Sequence, residues 1–181
     1  MVYILLATGF EEAEALVPAD LLRRAGVETA LVALEGDYVA GGHDIAVKAD
    51  LTLDQVDLDQ ADLVMLPGGG LGYRNLGASS KVEALVKGTV ARDIPLAAIC
   101  AAPTLLGGWG LLEGKQAVCY PGMEAGLSGA QVCKESGVAV DGKIITGRAA
   151  GSAFDFGLKL VELLAGPEKA EEVRHGIYYC E

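Results

Sequence analysis

Short apolar runs alternate with amphipathic segments along the whole chain, and this alternation limits the possible folds more than any other feature of the sequence. The apolar runs are typical of buried strands, and the segments between them have helical spacing. Strands are expected at residues 3–7, 29–34, 63–66 and 95–99, with a further short strand at 45–47. Helices are expected at residues 12–25, 80–92, 103–109, 152–165 and 167–174. Strands separated by helices favour an α/β fold, in which a parallel sheet carries helices on both faces.

Two turn signals complete this outline. Asp141 and Gly142 lie between short apolar runs at 138–140 and 143–146, a pattern that predicts a two-residue β-hairpin. Residues 36–42 have glycines at both ends and are expected to form a turn. Because no linker or repeat divides the 181 residues, one domain is expected over residues 1–181.

Composition and charge exclude several classes of protein. Hydrophobic residues make up 51% of the chain and charged residues 22%, values that exclude intrinsic disorder. The net charge of −11 makes nucleic acid an improbable partner. The uncharged stretch at 94–112 contains Pro103 and three glycines, which favours a buried strand and helix over a membrane span. The first apolar run has no basic leader before it, so we expect a cytoplasmic protein with reduced thiols and no membrane partner.

Cys100 is the first candidate for chemistry. Ligands of parallel sheets bind beyond the carboxyl ends of the strands, and Cys100 directly follows the strand expected at 95–99. Pro103 starts the next helix, and small neighbours such as Ala101 suit the sharp strand-to-helix turn called a nucleophile elbow. The positive end of that helix is expected to lower the pKa of the thiol and to favour the thiolate. A buried, unreactive cysteine is the alternative interpretation, since free cysteines are often buried.

Glu14 is the candidate acid. It lies on the same helical face as Val17 and Leu21, so its carboxyl group is expected to be buried. Burial and a neighbouring thiolate would raise the pKa of Glu14, and a protonated carboxyl could donate a hydrogen bond to sulfur and act as acid and base. For Glu11 and Glu12 we prefer a simple interaction with the positive end of the helix.

Neither a cofactor nor a metal is expected. Residues 68–70 are glycines whose N–H groups could form an oxyanion hole, but no Gly-Lys-Ser/Thr follows them, so ATP binding is not predicted. The four cysteines form no Cys-x-x-Cys pair and the two histidines, His43 and His175, are far apart, which is atypical of a zinc site. Ordinary structural roles are expected for the other cysteines, Cys119, Cys133 and an exposed Cys180.

Residues 97–103, Ala-Ala-Ile-Cys-Ala-Ala-Pro, resemble the nucleophile region of the parkinsonism-associated deglycase family in the ThiJ/PfpI superfamily. The resemblance extends over nearly the whole chain, and the tail is similar to that of bacterial members. The segments that carry it are 11–14, 23–26, 66–69, 146–148, 154–156 and 176–179. It implies a flavodoxin-like (class I glutamine amidotransferase-like) three-layer sandwich with a mostly parallel sheet, usually as a homodimer.

The same resemblance implies roles for individual residues. Cys100 matches the family nucleophile, and Glu14 matches the carboxyl group that hydrogen-bonds to it. Gly69 and Ala101 match the backbone donors that face the sulfur. The protease-like branch of the superfamily has a histidine directly after the nucleophile, where this chain has Ala101, so peptidase activity is not expected.

Two positions depart from the pattern of the family. Tyr120 stands where many relatives have an assisting histidine, which leaves Glu14 as the nearby proton carrier. His43 stands where animal relatives have an arginine at the dimer interface. One hypothesis is that His43 supplies a proton donor to the partner's site, and the other is that it is a solvated turn residue.

Two functions are open on this evidence. The first is a glutathione-independent glyoxalase or protein deglycase that acts on methylglyoxal, glyoxal or their early protein adducts and protects against oxidative and carbonyl stress. The second is a redox-sensing or chaperone-like protein whose Cys100 is oxidised to sulfinic acid without significant turnover. The expected partner is therefore a small aldehyde or a glycated protein.

Overall fold

The apolar runs form a seven-stranded sheet at the centre of the molecule, in a computed structural model that describes residues 1–179. The strands are β1 (Val2–Leu6), β2 (Thr29–Ala33), β3 (Tyr38–Ala40), β4 (Ala46–Lys48), β5 (Leu51–Thr52), β6 (Leu63–Leu66), β7 (Leu96–Ile99), β8 (Gln116–Ala117), β9 (Gln131–Val132), β10 (Val138–Asp141) and β11 (Ile144–Gly147). The central sheet has the order β10-β11-β7-β6-β1-β2-β5, and only β10 runs antiparallel to its neighbour. The strands β3 and β4 pair separately as a hairpin, and β8 pairs with β9.

Within residues 1–179, six α-helices cover the sheet. They are α1 (Glu12–Arg24), α2 (Gly72–Ala78), α3 (Ser80–Ala91), α4 (Pro103–Gly108), α5 (Ala153–Ala165) and α6 (Pro167–Gly176). Ser79 caps α3, since its Oγ accepts a hydrogen bond from the Val82 N–H at 3.4 Å. Gly166 joins α5 to α6 with a φ of 88°, a conformation that favours glycine.

Each face of the sheet has its own hydrophobic core, because successive side chains of a strand point to opposite faces. Along β1, Val2, Ile4 and Leu6 face one core, which also contains side chains of α1, α5 and α6. Tyr3 and Leu5 face the other core, which contains side chains of α2, α3 and α4. The molecule is therefore a three-layer sandwich of helices, sheet and helices.

Most of the expected elements form within a residue or two of their predicted ends, but the short strands β5, β8 and β9 were not predicted, and there are further differences. Residues 36–42 were expected to be a turn but contain β3. The helix α2 was not predicted at all. Ser152 occupies the N-cap position of α5 but makes no capping hydrogen bond there. Cys180 lies outside the described residues.

The uncharged stretch at 94–112 forms β7, the bend after it and α4, as the sequence predicts. Across residues 1–179, none of the helices combines the length and apolar character that crossing a bilayer requires.

Gly157 sets the distance between α1 and α5. A Cβ atom at Gly157 would lie 2.7 Å from Leu21 Cδ1 and 3.0 Å from Pro18 Cα. We expect Gly157→Ala to lower the free energy of unfolding by about 1–3 kcal/mol, because the extra methyl group forces the helices apart. Gly108→Ala is the matched control, since a Cβ there meets nothing within 4 Å. Urea denaturation measures both variants, and an equal effect of the two would contradict this packing argument.

Candidate active site

Cys100 lies on a sharp bend at the carboxyl end of β7. Its φ is 67°, in the left-handed region that non-glycine residues rarely occupy. Two hydrogen bonds hold this conformation: the Cys100 N–H donates to the Gly147 oxygen at 2.9 Å, and the Cys100 oxygen accepts from the Tyr120 N–H at 2.8 Å. The bend directs the half-buried thiol away from the sheet and towards a cavity. This is the local geometry that a nucleophile elbow requires.

Gly68 separates the cysteine from the candidate acid. A Cβ atom at Gly68 would lie 2.6 Å from Glu14 Oε2 and 2.7 Å from Cys100 Cβ. A side chain larger than hydrogen would therefore push the carboxyl group and the thiol apart. Gly69, the next residue, has a φ of 98° and directs its N–H towards the sulfur. These two requirements explain the consecutive glycines after β6.

Glu14 is buried in the first turn of α1, with only 1% of its surface exposed. Its Oε2 accepts a hydrogen bond from the Gly68 N–H at 2.9 Å. Burial raises the pKa of Glu14 to about 7, although hydrogen bonds to Cys100 and Gly68 oppose the change. The raised pKa that the helical spacing predicted for Glu14 is thus found, and a large share of Glu14 is protonated at neutral pH.

The electrostatics of Cys100 differ from the expectation. Burial raises the pKa of the Cys100 thiol to about 12, and the negative charge of Glu14 adds to this effect. Hydrogen bonds from the Ala101 and Gly69 N–H groups lower the pKa, which is the predicted direction, but they are outweighed. The prediction of a lowered thiol pKa was therefore wrong, because a local helix end could not reveal the burial or the facing carboxylate.

The thiol and the carboxyl group consequently titrate as one unit. Once this pair has lost a single proton, the remaining proton can reside on Sγ or on Glu14. When it resides on Glu14, the charge that opposes the thiolate disappears and the carboxyl group donates a hydrogen bond to sulfur. The structure therefore provides a route to the thiolate by proton transfer within the pair.

Glu12 and His43 form a second polar contact beside this pair. The His43 N–H donates to Glu12 Oε1 at 2.8 Å, and His43 Nδ1 lies 2.8 Å from Oε2. The hydrogen bond to Glu12 raises the pKa of His43. Glu12 is 6% exposed and thus holds the turn between β3 and β4 against α1, a more specific role than the expected interaction with the helix end. His43 lines the cavity of its own chain, so a role there needs no second subunit.

The structure also groups potential metal ligands that the sequence spacing did not reveal. Carboxylate and imidazole atoms of Glu11, Glu12 and His43 lie within 4.8 Å of one another. Both carboxylate oxygens of Glu12 already interact with His43, so the group is explained as a hydrogen-bonded turn.

All six candidate residues line one cavity of about 630 Å³ at the carboxyl edge of the sheet; they are Glu14, His43, Gly69, Cys100, Ala101 and Tyr120. Tyr120 is 49% exposed. Sequence reasoning missed Tyr73 and Arg74, which line the same cavity from α2, and Met123. Glu11 also lines the cavity, so its predicted role at the helix end was incomplete. Tyr73 and Arg74 were missed because the helix that holds them, α2, was not predicted from the sequence.

The sequence matches the DJ-1/PfpI family over residues 1–163. The chain belongs to this family. The crystal structure of Drosophila melanogaster DJ-1beta is similar with a TM-score of 0.95 and 38% identity, covering 99% of this chain and 98% of that one. For oxidized Toxoplasma gondii DJ-1 the TM-score is 0.92 and the identity 33%, with the same coverage. Deglycase PH1704 of Pyrococcus horikoshii is 30% identical over 164 residues, which are 90% of this chain and 98% of that protein.

Membership of the DJ-1/PfpI family confirms the family resemblance that was predicted from residues 11–14, 66–69 and 97–103. The flavodoxin-like α/β sandwich with its mostly parallel sheet is confirmed as well.

The raised pKa of Glu14 predicts a pH-dependent stability. The protonated carboxyl contributes stability that is fully present below pH 4.5 and is lost as the pH rises through about 7. In Glu14→Gln the neutral amide oxygen can still accept the Gly68 N–H. We expect the variant to match the wild type near pH 4 and to exceed its free energy of unfolding at pH 8.5 by about 1–3 kcal/mol. Denaturation across this range measures the difference, and a wild type more stable than the variant at pH 8.5 would contradict the burial argument.

Proposed function

We propose that this protein is a cysteine-dependent glyoxalase or deglycase that acts on methylglyoxal, glyoxal or their early protein adducts. The observation that carries the proposal is the contact between a half-buried thiol and a buried carboxyl group whose pKa is about 7. A nucleophile and a proton carrier in one cavity are what an α-oxoaldehyde needs to become a hydroxy acid. The name of the Pyrococcus horikoshii relative, a deglycase, supports the same class of reaction.

The first step is addition to the aldehyde. The Cys100 thiolate forms a carbon–sulfur bond to the aldehyde carbon of methylglyoxal, and the carbonyl π electrons move to oxygen. The N–H groups of Gly69 and Ala101, which are directed at Sγ, are close to the oxyanion that forms on the carbon bound to sulfur. Glu14 gives its proton to this oxyanion, so the product is a neutral hemithioacetal beside a carboxylate.

The second step moves hydrogen between adjacent carbons. The Glu14 carboxylate removes the proton from C1, an enediol forms, and the proton returns to C2. Together with transfer of the hydroxyl proton from one oxygen to the other, this gives the thioester of lactate. Water then cleaves the carbon–sulfur bond and releases lactate and the free thiol. In the net reaction, methylglyoxal and water give lactate, and no external oxidant or reductant is needed.

Substitutions at the pair test this mechanism. Cys100→Ser and Glu14→Gln should each lower the rate of lactate formation from methylglyoxal by about 100-fold or more, since one loses the nucleophile and the other the proton carrier. Cys133→Ser is the matched control, because Cys133 lies outside the cavity and should leave the rate unchanged. Chiral analysis of the lactate measures the enzymatic fraction. A Cys100→Ser variant with the wild-type rate would refute the proposal.

A redox function of the same cysteine is the second candidate. Two N–H groups directed at the sulfur, beside a carboxyl group that can hold a proton, could also bind the oxygens of a sulfinic acid. The Toxoplasma gondii relative was solved in an oxidized form, which supports this candidate. Oxidation would consume two peroxide molecules per cysteine and leave no turnover. Chaperone-like behaviour, a cytoplasmic location and a homodimer stay predictions.

Mass spectrometry after mild peroxide treatment tests the redox candidate. We expect a gain of two oxygen atoms on Cys100, which opens into the cavity, whereas Cys119 stays reduced because it is buried with 2% of its surface exposed. Methylglyoxal turnover by the same preparation decides between the candidates. Oxidation spread evenly over Cys100, Cys119 and Cys133 would count against a sensor.

A further inference from the structure

The helix α2 holds Tyr73 and Arg74 at the wall of the reaction cavity. Its first residue, Gly72, donates its N–H to the Gly9 oxygen at 3.0 Å, and a Cβ at Gly72 would lie 2.6 Å from Phe10 Cα. The Asn75 side chain donates to the Thr8 oxygen at 2.9 Å. Contacts this close between backbones fix the position of α2, so the two side chains start from a rigid element.

Arg74 has no ionic partner in the described part of the chain. Within residues 1–179, no carboxylate oxygen lies within 4.0 Å of its guanidinium group, although acidic residues outnumber basic ones by 25 to 14. Arg23 and Arg24, by contrast, both pair with aspartates. The Arg74 Cζ lies 5.9 Å from the centroid of the Tyr73 ring, a cation–π distance that restrains the side chain. Arg74 therefore presents an uncompensated positive charge to the cavity.

The other charged groups of the cavity have partners. Glu11 Oε2 lies 3.8 Å from His43 Nδ1, and Glu14 faces the sulfur. The cavity of about 630 Å³ falls in the size range of sites for whole metabolites and is much larger than a three-carbon aldehyde needs. The space beyond Cys100 and the free guanidinium group together indicate that the substrate extends further and carries negative charge.

We propose that Arg74 is a specificity residue that selects α-oxoaldehydes with a carboxylate at the end remote from the aldehyde. This inference rests on the proposed function and names its substrate class. The guanidinium group binds a carboxylate through two parallel hydrogen bonds, and the Tyr73 ring restrains the guanidinium on one side. The reaction at Cys100 is unchanged, so the product is a hydroxy diacid in place of lactate.

Matched substrates test the proposal. The acids 4,5-dioxopentanoate and 5,6-dioxohexanoate are compared with their methyl esters, which are neutral and larger by one methyl group, and methylglyoxal is the reference. We expect kcat/KM for one or both acids to exceed that of the ester about tenfold. In Arg74→Gln this preference should fall to about one while turnover of the ester and of methylglyoxal is retained. Arg74→Lys should keep part of the preference. Arg92→Gln, the same charge change outside the cavity, should keep all of it.

The outcomes separate the two proposals. The role of Arg74 would be overturned if methylglyoxal and the esters were turned over without a preference for either acid. It would also be overturned if the preference for the acids survived Arg74→Gln. Either result would leave the proposed function intact. Absence of turnover with every aldehyde would overturn the proposed function and the substrate class with it. As a readout without turnover, 4-oxopentanoate should slow iodoacetamide labelling of Cys100 more than its methyl ester does, and Arg74→Gln should abolish this difference.

Discussion

The contact between the Glu14 carboxyl group and the Cys100 sulfur determines how the rest of this active site must be built. A carboxyl group and a thiol can share a proton only if nothing larger than hydrogen lies between them, and Gly68 meets that condition. The thiol must also leave the plane of the sheet, which the left-handed backbone of Cys100 accomplishes. The segments that follow β1, β6 and β7 therefore serve a single interaction at one edge of the parallel sheet. That edge is the usual place for ligand chemistry in such folds.

The two cores of the sandwich offset the cost of this arrangement. A left-handed non-glycine residue and a buried carboxyl group each destabilise the folded state by an amount on the order of 1–3 kcal/mol. Strand β7, with no exposed side chain along Leu96–Ile99, and the tightly packed α1 hold both groups in place. The Gly147 oxygen and the Tyr120 N–H complete the hydrogen bonds of the Cys100 backbone, so the strain is not accompanied by an unsatisfied polar group. Destabilising groups at the site are thus tolerated because the scaffold beneath it is rigid.

Local features of the sequence could be predicted, and features that depend on distant contacts could not. The elbow at Cys100 was visible because an apolar run, small residues and Pro103 are neighbours in sequence. The helix α2 was not visible, since residues 72–78 include two glycines and lack an apolar stripe; docking of Gly72 against Gly9 holds it instead. The partner of Glu12 is 31 residues away in an exposed turn. The prediction of a lowered thiol pKa was wrong for the same reason, because burial and the charge of Glu14 depend on tertiary contacts.

Two carboxyl groups in the first turn of α1 show how position alone assigns opposite roles to one residue type. Burial acts against the charge of both Glu12 and Glu14. For Glu12 the hydrogen bonds from His43 outweigh burial and its pKa is lowered, whereas for Glu14 burial prevails and the pKa is raised. Since residues two apart on a helix point in different directions, one carboxyl meets an imidazole and the other a sulfur atom. The ionised group anchors the turn that lines the cavity, and the protonated group stays available for chemistry. If the imidazole and the sulfur atom changed places, neither glutamate could anchor the turn or carry the proton, although the sequence of the helical segment would be unchanged.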